Sequence, residues 1–412
     1  MKLFADLGRC LDAQWTDNHG DLESWPDRAV LALAEARPCD HVTMAEIAAW
    51  AIATDQLPVQ LDPAGRFGQP PITLYHGDHF VIDALFWIDA SLAIHQHAFS
   101  GAFHVLAGSS LHATYGFQET QRLSDTMQLG DLTLERAEHL ARGDTRPIRS
   151  GRGLIHALFH LACPSVTIVV RTVRDPDAYP QYEYRVPCLA MVGTDQLGPA
   201  GDALVLRLRA IDALHASDQD GAFTLLRSLL GRCDAETWFR AVDRALISGW
   251  LAPAQLALLR EEARPRFGSL IDAWHQVLEE TLRTSSLVRH RAAVRDPAHR
   301  DFLALLINLS GRRTILAMVA SRYPGDPVDV VMGWIEALVA QRPAGGEGAN
   351  VLEVELDEPA LHVLRGLLEG LPWAAILDRL RDEFDDVDAQ LDQLAELSAA
   401  LRGSRVFRNL LA

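Results

Sequence analysis

Cysteine is scarce in this sequence, and its scarcity excludes two kinds of small-domain architecture. Five cysteines are spread over 412 residues, and no two of them form a CxxC pair. The sequence therefore indicates neither a disulfide framework nor a zinc site built on thiolates. Residues 1–15 lack the long apolar core of a secretory leader, and no apolar run approaches 18 residues. We expect a cytoplasmic protein without membrane spans.

Positive charge is also in the minority. Lysine and arginine number 38 against 55 acidic residues, which gives a formal net charge of −17 at pH 7. Such a surface repels phosphate backbones, so we expect neither general nucleic-acid binding nor docking on anionic lipid. Residues 288–300 are a local basic exception. They fit either a solvated helix face or a docking surface for an anionic partner.

The pattern of apolar residues changes along the chain and predicts an α+β protein. Residues 1–65 form an N-terminal helical segment, with apolar residues recurring at three- and four-residue spacing. Residues 66–190 contain short β-like runs separated by Gly, Asp and Ser, which is typical of an antiparallel barrel or sandwich. Within and just after this region, residues 173–200 are rich in Pro, Tyr and Asp and are interpreted as a covering loop. An α-helical domain then occupies 200–342, and a last helical unit occupies 351–412.

Histidine distribution is the strongest chemical signal. Of 16 histidines, nine lie between His76 and His160. His95 and His97 form an HxH pair inside a β-like run, and residues two apart in a strand share a face. His156, in a second strand-like run, is the best third ligand. Neutral imidazoles suit iron, zinc, copper or nickel, and three protein ligands with open positions are typical of catalytic metal sites. Hydrogen-bonded core histidines remain the alternative.

Three stretches around these histidines resemble the cupin superfamily, specifically the thiol dioxygenase branch that includes cysteine dioxygenase. The stretches are FVIDALFW, SLAIHQHAFSGAFHVLAGSSLHATY and IRSGRGLIHALFHLACPSVTIVVRT. The two family motifs, HxH with an aromatic and a hairpin glycine, and G-x-x-H, are matched by His95, His97, Phe103, Gly108, Gly153 and His156. The resemblance implies a cupin β-barrel (double-stranded β-helix) that holds Fe(II) through His95, His97 and His156, with another divalent transition metal as the alternative. General cupins carry a Glu after the HxH pair, where Gly101 or Ala102 stands here, and the thiol dioxygenase branch lacks that Glu.

The sequence also departs from that branch. The place of the family's crosslinked Cys holds Ala102 or its neighbour, and the His and Tyr of its proton relay are replaced by Val169 and Arg171. The family's substrate-binding Arg is replaced by Tyr75 or His76. Cysteine is therefore not implied as the substrate.

Further site residues follow from their places in the predicted barrel. Arg171 can bind a substrate carboxylate through its guanidinium fork, although a surface salt bridge is the alternative. Tyr75 is a catalytic candidate by position, and His104 and His160 are candidate hydrogen-bond partners or proton carriers. For His112 an ordinary barrel histidine is favoured. The predicted pocket lining consists of Trp87, Phe99, Phe103 and Phe159.

These features lead to one principal functional hypothesis and two alternatives. The principal one is a mononuclear non-haem iron oxygenase that oxidises a small thiol, an amino acid or a peptide-borne residue with O2. A non-catalytic metal-binding cupin that senses a ligand is the first alternative, and a cupin isomerase or hydrolase with another divalent metal is the second. The helical half exceeds what a thiol dioxygenase needs, which implies a lid, a homodimer or a protein partner. Residues 351–412 faintly resemble winged-helix-type domains that bind leader peptides.

Overall fold

The computed structural model describes residues 1–62, 68–88, 93–176, 180–341 and 350–412. Its helices and antiparallel sheets confirm the predicted α+β class. The chain divides into two compact units, Met1–Thr281 and Leu282–Ala412. The division falls inside a long helix, whereas composition placed the domain boundaries near residues 190–200 and 342–351.

Short helices build the N-terminal segment, as its periodicity predicts. They are α1 (Lys2–Asp17), α2 (Trp25–Ala36), α3 (Pro38–His41) and α4 (Met44–Ala53). Thr43 begins α4 with a capping box, in which its hydroxyl accepts from the Glu46 amide at 3.2 Å and the Glu46 carboxylate accepts from the Thr43 amide at 2.7 Å. Phe4 of α1 and Trp25 of α2 are fully buried in one hydrophobic cluster with strand residues that include Phe80. These helices therefore cover one face of a sheet.

The β-region has two groups of antiparallel strands. The strands are β1 (Pro71–His76), β2 (Phe80–Trp87), β3 (Ile94–His97), β4 (Gly101–Ala107), β5 (Ser109–Ser124), β6 (Met127–Ala141), β7 (Thr145–Ile148), β8 (Gly151–His160), β9 (Ser165–Thr172), β10 (Tyr182–Arg185) and β11 (Leu189–Val192). Five strands form a sheet in the order β1-β2-β9-β4-β7, and six close into a barrel in the order β10-β11-β6-β5-β8-β3.

The two-residue period of β2 divides its side chains between two environments. Ile82 and Ala84 are buried in the cluster shared with α1 and α2. Asp83, Leu85 and Trp87 point the other way and line a cavity. Because neighbouring strands repeat this alternation, the five-stranded sheet has one face against the helices and one face on the cavity.

Two strands lie where the sequence predicted a covering loop. β10 pairs with β3, and β11 pairs with β6, so these two strands close the barrel. Each has only four residues, which is too short for a recognisable alternation, and the surrounding residues are typical of loops. The expectation of a loop over 173–200 was therefore wrong at these strands. The pairing places Glu183 of β10 directly opposite His95.

The first unit continues as helices that dock on the barrel. They are α5 (Pro199–His215), α6 (Gln219–Leu230), α7 (Ala235–Ile247), α8 (Pro253–Phe267) and the long α9 (Leu270–Ala293), which crosses the division between units. Glu236 of α7 accepts hydrogen bonds from the Ser124 and Thr126 hydroxyls at 2.7 and 2.8 Å. Buried Arg240 donates to the Val192 carbonyl at 2.7 Å. These bonds attach α7 to the turn of the β5–β6 hairpin and to the last strand, β11.

The second unit is helical. Its further helices are α10 (Pro297–Asn308), α11 (Arg312–Ala320), α12 (Pro327–Ala340), α13 (Glu358–Glu369), α14 (Trp373–Glu383) and α15 (Leu391–Gly403). The apolar run over 301–323 divides at Gly311, whose φ of +92° suits glycine best. Residues 350–357 form turns and irregular backbone before α13. Within the described parts of the chain, no helix combines the length and the apolar character needed to cross a membrane.

Candidate metal centre

Strand pairing brings the three predicted metal ligands together. β3 and β8 are antiparallel neighbours, and His95 lies directly opposite His156. The register shifts between His95 and His97, because two residues along β3 span five along β8, from His156 to Gly151. The ring centroid of His95 lies 4.7 Å from that of His97 and 4.9 Å from that of His156. Two ligands from one strand therefore meet a third from its neighbour.

The nitrogen atoms of these rings are close enough to share one ion. One ligand atom from each histidine can be chosen so that all lie within 4.8 Å of one another. His97 Nε2 and His156 Nε2 lie 2.8 Å apart. Imidazole nitrogens bind first-row metals at about 2.0–2.1 Å, so the group closes around an ion after ring shifts on the order of 1 Å.

Burial keeps the three rings neutral. It lowers the pKa of His97 and of His156 well below the ordinary value of 6.5, with smaller contributions from neighbouring histidines, and it lowers the pKa of His95 as well. Neutral imidazoles retain the lone pairs that metal ions bind. His97 Nδ1 is buried and has no hydrogen-bond partner among the described residues. Three imidazoles in one group are a nitrogen donor set, which suits a divalent transition metal.

A glycine on β4 occupies one of the two positions where general cupins could carry a Glu. Gly101 lies opposite Arg171 in β9, on the strand face that looks into the cavity. A Cβ atom added to Gly101 would lie 1.9 Å from the Val170 carbonyl oxygen. Ala102, the other position where general cupins could place Glu, is fully buried in the cluster against the helices. Neither position can deliver a carboxylate to the histidines.

A cavity of about 730 Å³ opens beside the histidines. Trp87, Phe99 and Phe103 line it, as the sequence predicted. Phe159 is outside the described lining, because it alternates in β8 with Leu158 and His160, which face the cavity. The remaining lining mixes aliphatic and polar side chains from both groups of strands. An apolar wall with a few polar groups is typical of a small-molecule site.

Arg171 reaches this cavity as predicted, held by a buried partner. Its Nε donates to Asp83 Oδ2 at 2.9 Å, and its guanidinium lies 5.2 Å from the centre of the Phe99 ring. Asp83 also accepts from the Thr73 hydroxyl at 2.7 Å. The Arg171 charge lowers the pKa of His97, so the guanidinium and the histidines share one electrostatic environment. The salt-bridge alternative is therefore also present, but it is buried and not a surface pair.

His160 lies on the cavity wall, four residues after His156 on the same face of β8. Its ring stacks on Trp87 with centroids 4.7 Å apart, and its Nδ1 lies 3.0 Å from the Ser110 hydroxyl. Burial lowers the pKa of His160 to about 3. A ring that is neutral at pH 7 and hydrogen-bonded on one side can accept or donate a hydrogen bond on the other.

The structure places two other predicted site residues away from the cavity. His104 faces the opposite side of β4 from Phe103, and its Nδ1 contacts the Thr145 hydroxyl at 2.8 Å. Tyr75 donates its hydroxyl hydrogen to Asp12 of α1, and burial raises its pKa to about 12. Neither is among the described residues that line the cavity. Consecutive residues of a strand point to opposite faces, so Phe103 and His104 cannot both face inward.

Sequence reasoning did not identify the cavity-lining acids Asp83 and Glu183, nor Glu138 on β6. Glu138 lies directly opposite His112 on β5, and its Oε1 is 3.0 Å from His112 Nδ1. The other ring nitrogen of His112 lies 3.1 Å from His156 Nδ1. Hydrogen bonding from His112, and then from Arg146, holds the pKa of Glu138 far below its usual value. A regular hairpin with its turn at 125–126 would place the residue next to Glu138 opposite His112. Register shifts along the hairpin place Glu138 there instead.

The comparisons with known proteins were made on the whole chain. No protein-family model matches it, and no curated protein matches it.

Proposed function

We propose that the barrel is a cupin-type metal centre, in which His95, His97 and His156 hold one Fe(II) ion for the oxidation of a carboxylate-bearing substrate by O2. The observation that supports this most is the convergence of three neutral imidazoles, two of them buried and that of His95 half-buried, on the wall of a cavity. Nitrogen ligands of this kind suit iron, zinc, copper or nickel and not magnesium or calcium. When bound, such an ion supplies open coordination positions for O2 and an electron-rich substrate group, and it carries the redox chemistry.

The protein's own part begins with the limited number of ligands. Three histidines come from β3 and β8, and the close approach of Gly101 to the Val170 carbonyl prevents a carboxylate ligand from β4. Positions that the protein does not fill remain for a substrate. This supports a catalytic site over a closed structural one.

Arg171 is the candidate substrate-binding group. Because Asp83 accepts from Nε, the two terminal nitrogens of the guanidinium are left as a fork that can bind a carboxylate with two parallel hydrogen bonds. Phe99 stacks against the guanidinium and restricts its rotation. The fork is thus oriented by groups on β2 and by an aromatic ring before any substrate binds.

Cavity size favours a substrate larger than a free amino acid. The cavity bounded by the described residues measures about 730 Å³, within the roughly 300–1,000 Å³ of sites that enclose drug-sized ligands. Its wall carries Trp87, Phe99 and Phe103, which suit an apolar or aromatic substrate portion. Of a small thiol, an amino acid and a peptide-borne residue, the peptide-borne residue fits this volume best.

The experiment compares metal binding and oxygen use in matched variants. Metal-stripped protein is loaded with Fe(II), and O2 consumption is measured with a panel of carboxylate-bearing thiols and short thiol-containing peptides. We expect one ion per chain and substrate-dependent O2 uptake, with both lost in His156→Ala and retained in His104→Ala, a buried histidine on the outer face of β4. Arg171→Met should raise KM for carboxylate substrates while retaining the ion. Metal binding without O2 uptake for any substrate would contradict the oxygenase proposal.

A further inference from the structure

The three candidate ligands differ in what holds the nitrogen that faces away from the cavity. His95 Nδ1 lies 3.1 Å from the Ala93 carbonyl oxygen, an acceptor. His97 Nδ1 is buried without a hydrogen-bond partner among the described residues. His156 Nδ1 alone contacts another imidazole, at 3.1 Å from His112 Nε2. The backbone and the side chains therefore support the three rings unequally.

Strand register makes the contact to His156 part of a continuous chain. On β5, Thr114 lies opposite His156 of β8, and His112, two residues away, shares the same face. On the other side of β5, His112 lies opposite Glu138 of β6. Three neighbouring barrel strands thus align His156, His112 and Glu138 across one inner surface, with contacts of 3.1 and 3.0 Å.

Hydrogen-bond roles along this chain follow from the chemistry of its end. A charged carboxylate can only accept, so His112 Nδ1–H donates to Glu138. For His112 Nε2 to accept from His156 Nδ1–H, its lone pair must lie on Nε2 and its one ring hydrogen on Nδ1. That assignment leaves the lone pair of His156 on Nε2, the atom that lies 2.8 Å from His97 Nε2. Arg146 also donates two hydrogen bonds to Glu138, at 2.9 and 2.8 Å, but the donor and acceptor roles along the chain depend on the carboxylate and not on this pair.

We propose that Glu138 and His112 are positioning residues that hold His156 in its Nδ1–H tautomer and make it the anchoring ligand of the metal site. This inference rests on the proposed metal centre and adds residues that the cupin resemblance does not include. A partner on the outer nitrogen orients a ligating imidazole and increases its basicity. His97 has no such partner among the described residues, so its ring contributes less to holding the ion.

A purely structural role for Glu138 makes a different prediction. Glu138 also pairs with Arg136 and Arg146, so its loss could act by loosening the barrel. Arg146→Met removes most of that ion pair and leaves the Glu138–His112 contact possible. Glu119→Gln removes another arginine-paired carboxylate from β5, one bonded to Arg122 and Arg152 with no path to the histidines. These two variants are the matched controls.

The test measures Co(II) and Fe(II) affinity of the full chain by competition with a chelator. We expect His112→Phe and Glu138→Gln each to weaken binding by about 10–100-fold, with Glu119→Gln and Arg146→Met close to wild type. The double variant should bind as His112→Phe does, because Glu138 acts only through His112. Unchanged affinity in His112→Phe, or additive losses in the double variant, would overturn the inference while leaving the metal centre intact.

A second readout needs no metal. Nitrogen-15 NMR of the histidine rings in metal-free wild-type protein should show hydrogen on Nδ1 of both His112 and His156. Hydrogen on Nε2 of His156 would overturn the inference whatever the affinities. Failure of the wild-type chain to bind either metal would instead overturn the proposed function, and the two failures are therefore distinguishable.

Discussion

The buried pair of Asp83 and Arg171 allows the electrostatics of the cavity to be tested by mutation. The exposed fractions of their side chains are 3% and 18%, and Arg171 Nε donates to Asp83 at 2.9 Å. Asp83→Asn keeps the shape of the side chain and its contact with Thr73 but removes the charge. The guanidinium is then left beside the histidines without its counter-ion.

The expected magnitude follows from this burial. Removing one partner of a buried ion pair costs about 3–5 kcal/mol, because the other charge stays desolvated. Arg171 keeps some solvent contact, so we expect the lower end, about 3 kcal/mol, for Asp83→Asn. Arg171→Met leaves the more buried charge, Asp83, with the Thr73 hydroxyl, and we expect a cost nearer the upper end. The double variant removes both charges and should cost less than the sum of the single variants.

Equilibrium urea unfolding at pH 7 of the wild type, both single variants and the double variant gives the coupling free energy. We expect a coupling of at least ~1 kcal/mol in favour of the pair. If the stability losses of the two single variants add to that of the double variant within about 0.5 kcal/mol, the two side chains do not depend on each other and no coupling exists. A loss of less than about 1 kcal/mol in Asp83→Asn would also contradict this expectation, because the guanidinium would then tolerate the cavity unpaired.

Three further changes test other parts of the structure. The pKa of His160 in the folded protein, about 3, lies below the ordinary 6.5, so the unfolded chain binds the proton first. The free energy of unfolding therefore decreases below pH 6.5, by about 2 kcal/mol at pH 5. In urea titrations between pH 5 and 8, His160→Phe should reduce the dependence of this free energy on pH by one proton, and an unchanged pH dependence would contradict this. Gly101→Ala should lower stability by at least ~1–3 kcal/mol, because its Cβ would meet the Val170 carbonyl at 1.9 Å; wild-type stability would show that β4 can move away. Arg240→Met should cost about 1.5–3 kcal/mol through the lost bonds to the Val192 carbonyl and to Glu236, and an unaltered urea midpoint would mean that these bonds contribute little.

Much of the element pattern was readable from periodicity. The helices of the first 60 residues and most strands after Pro71 have apolar spacings that distinguish 3.6-residue from two-residue repeats. The short strands β10 and β11 could not be predicted in this way, because four residues are too few to show a period. Only their pairing with β3 and β6 in three dimensions identifies them as strands.

The candidate site divides in the same way. The HxH spacing in one strand and His156 in another were visible locally, and the structure brings these three residues together. The faces of His104 and Tyr75 depend on which residues of each strand meet the helices, which local patterns do not specify. The contact of Glu138 with His112 depends on hairpin bulges, and a one-residue slip in register would have exchanged faces.

Anomalous X-ray diffraction, recorded at the iron edge from crystals of the Fe(II)-loaded chain, tests the metal centre most directly. We expect a single strong peak within bonding distance of one nitrogen from each of His95, His97 and His156. His112 should lie behind His156 and outside bonding distance. A well-ordered map without such a peak, in which His97 and His156 share a hydrogen bond through their Nε2 atoms, would contradict the proposed metal centre.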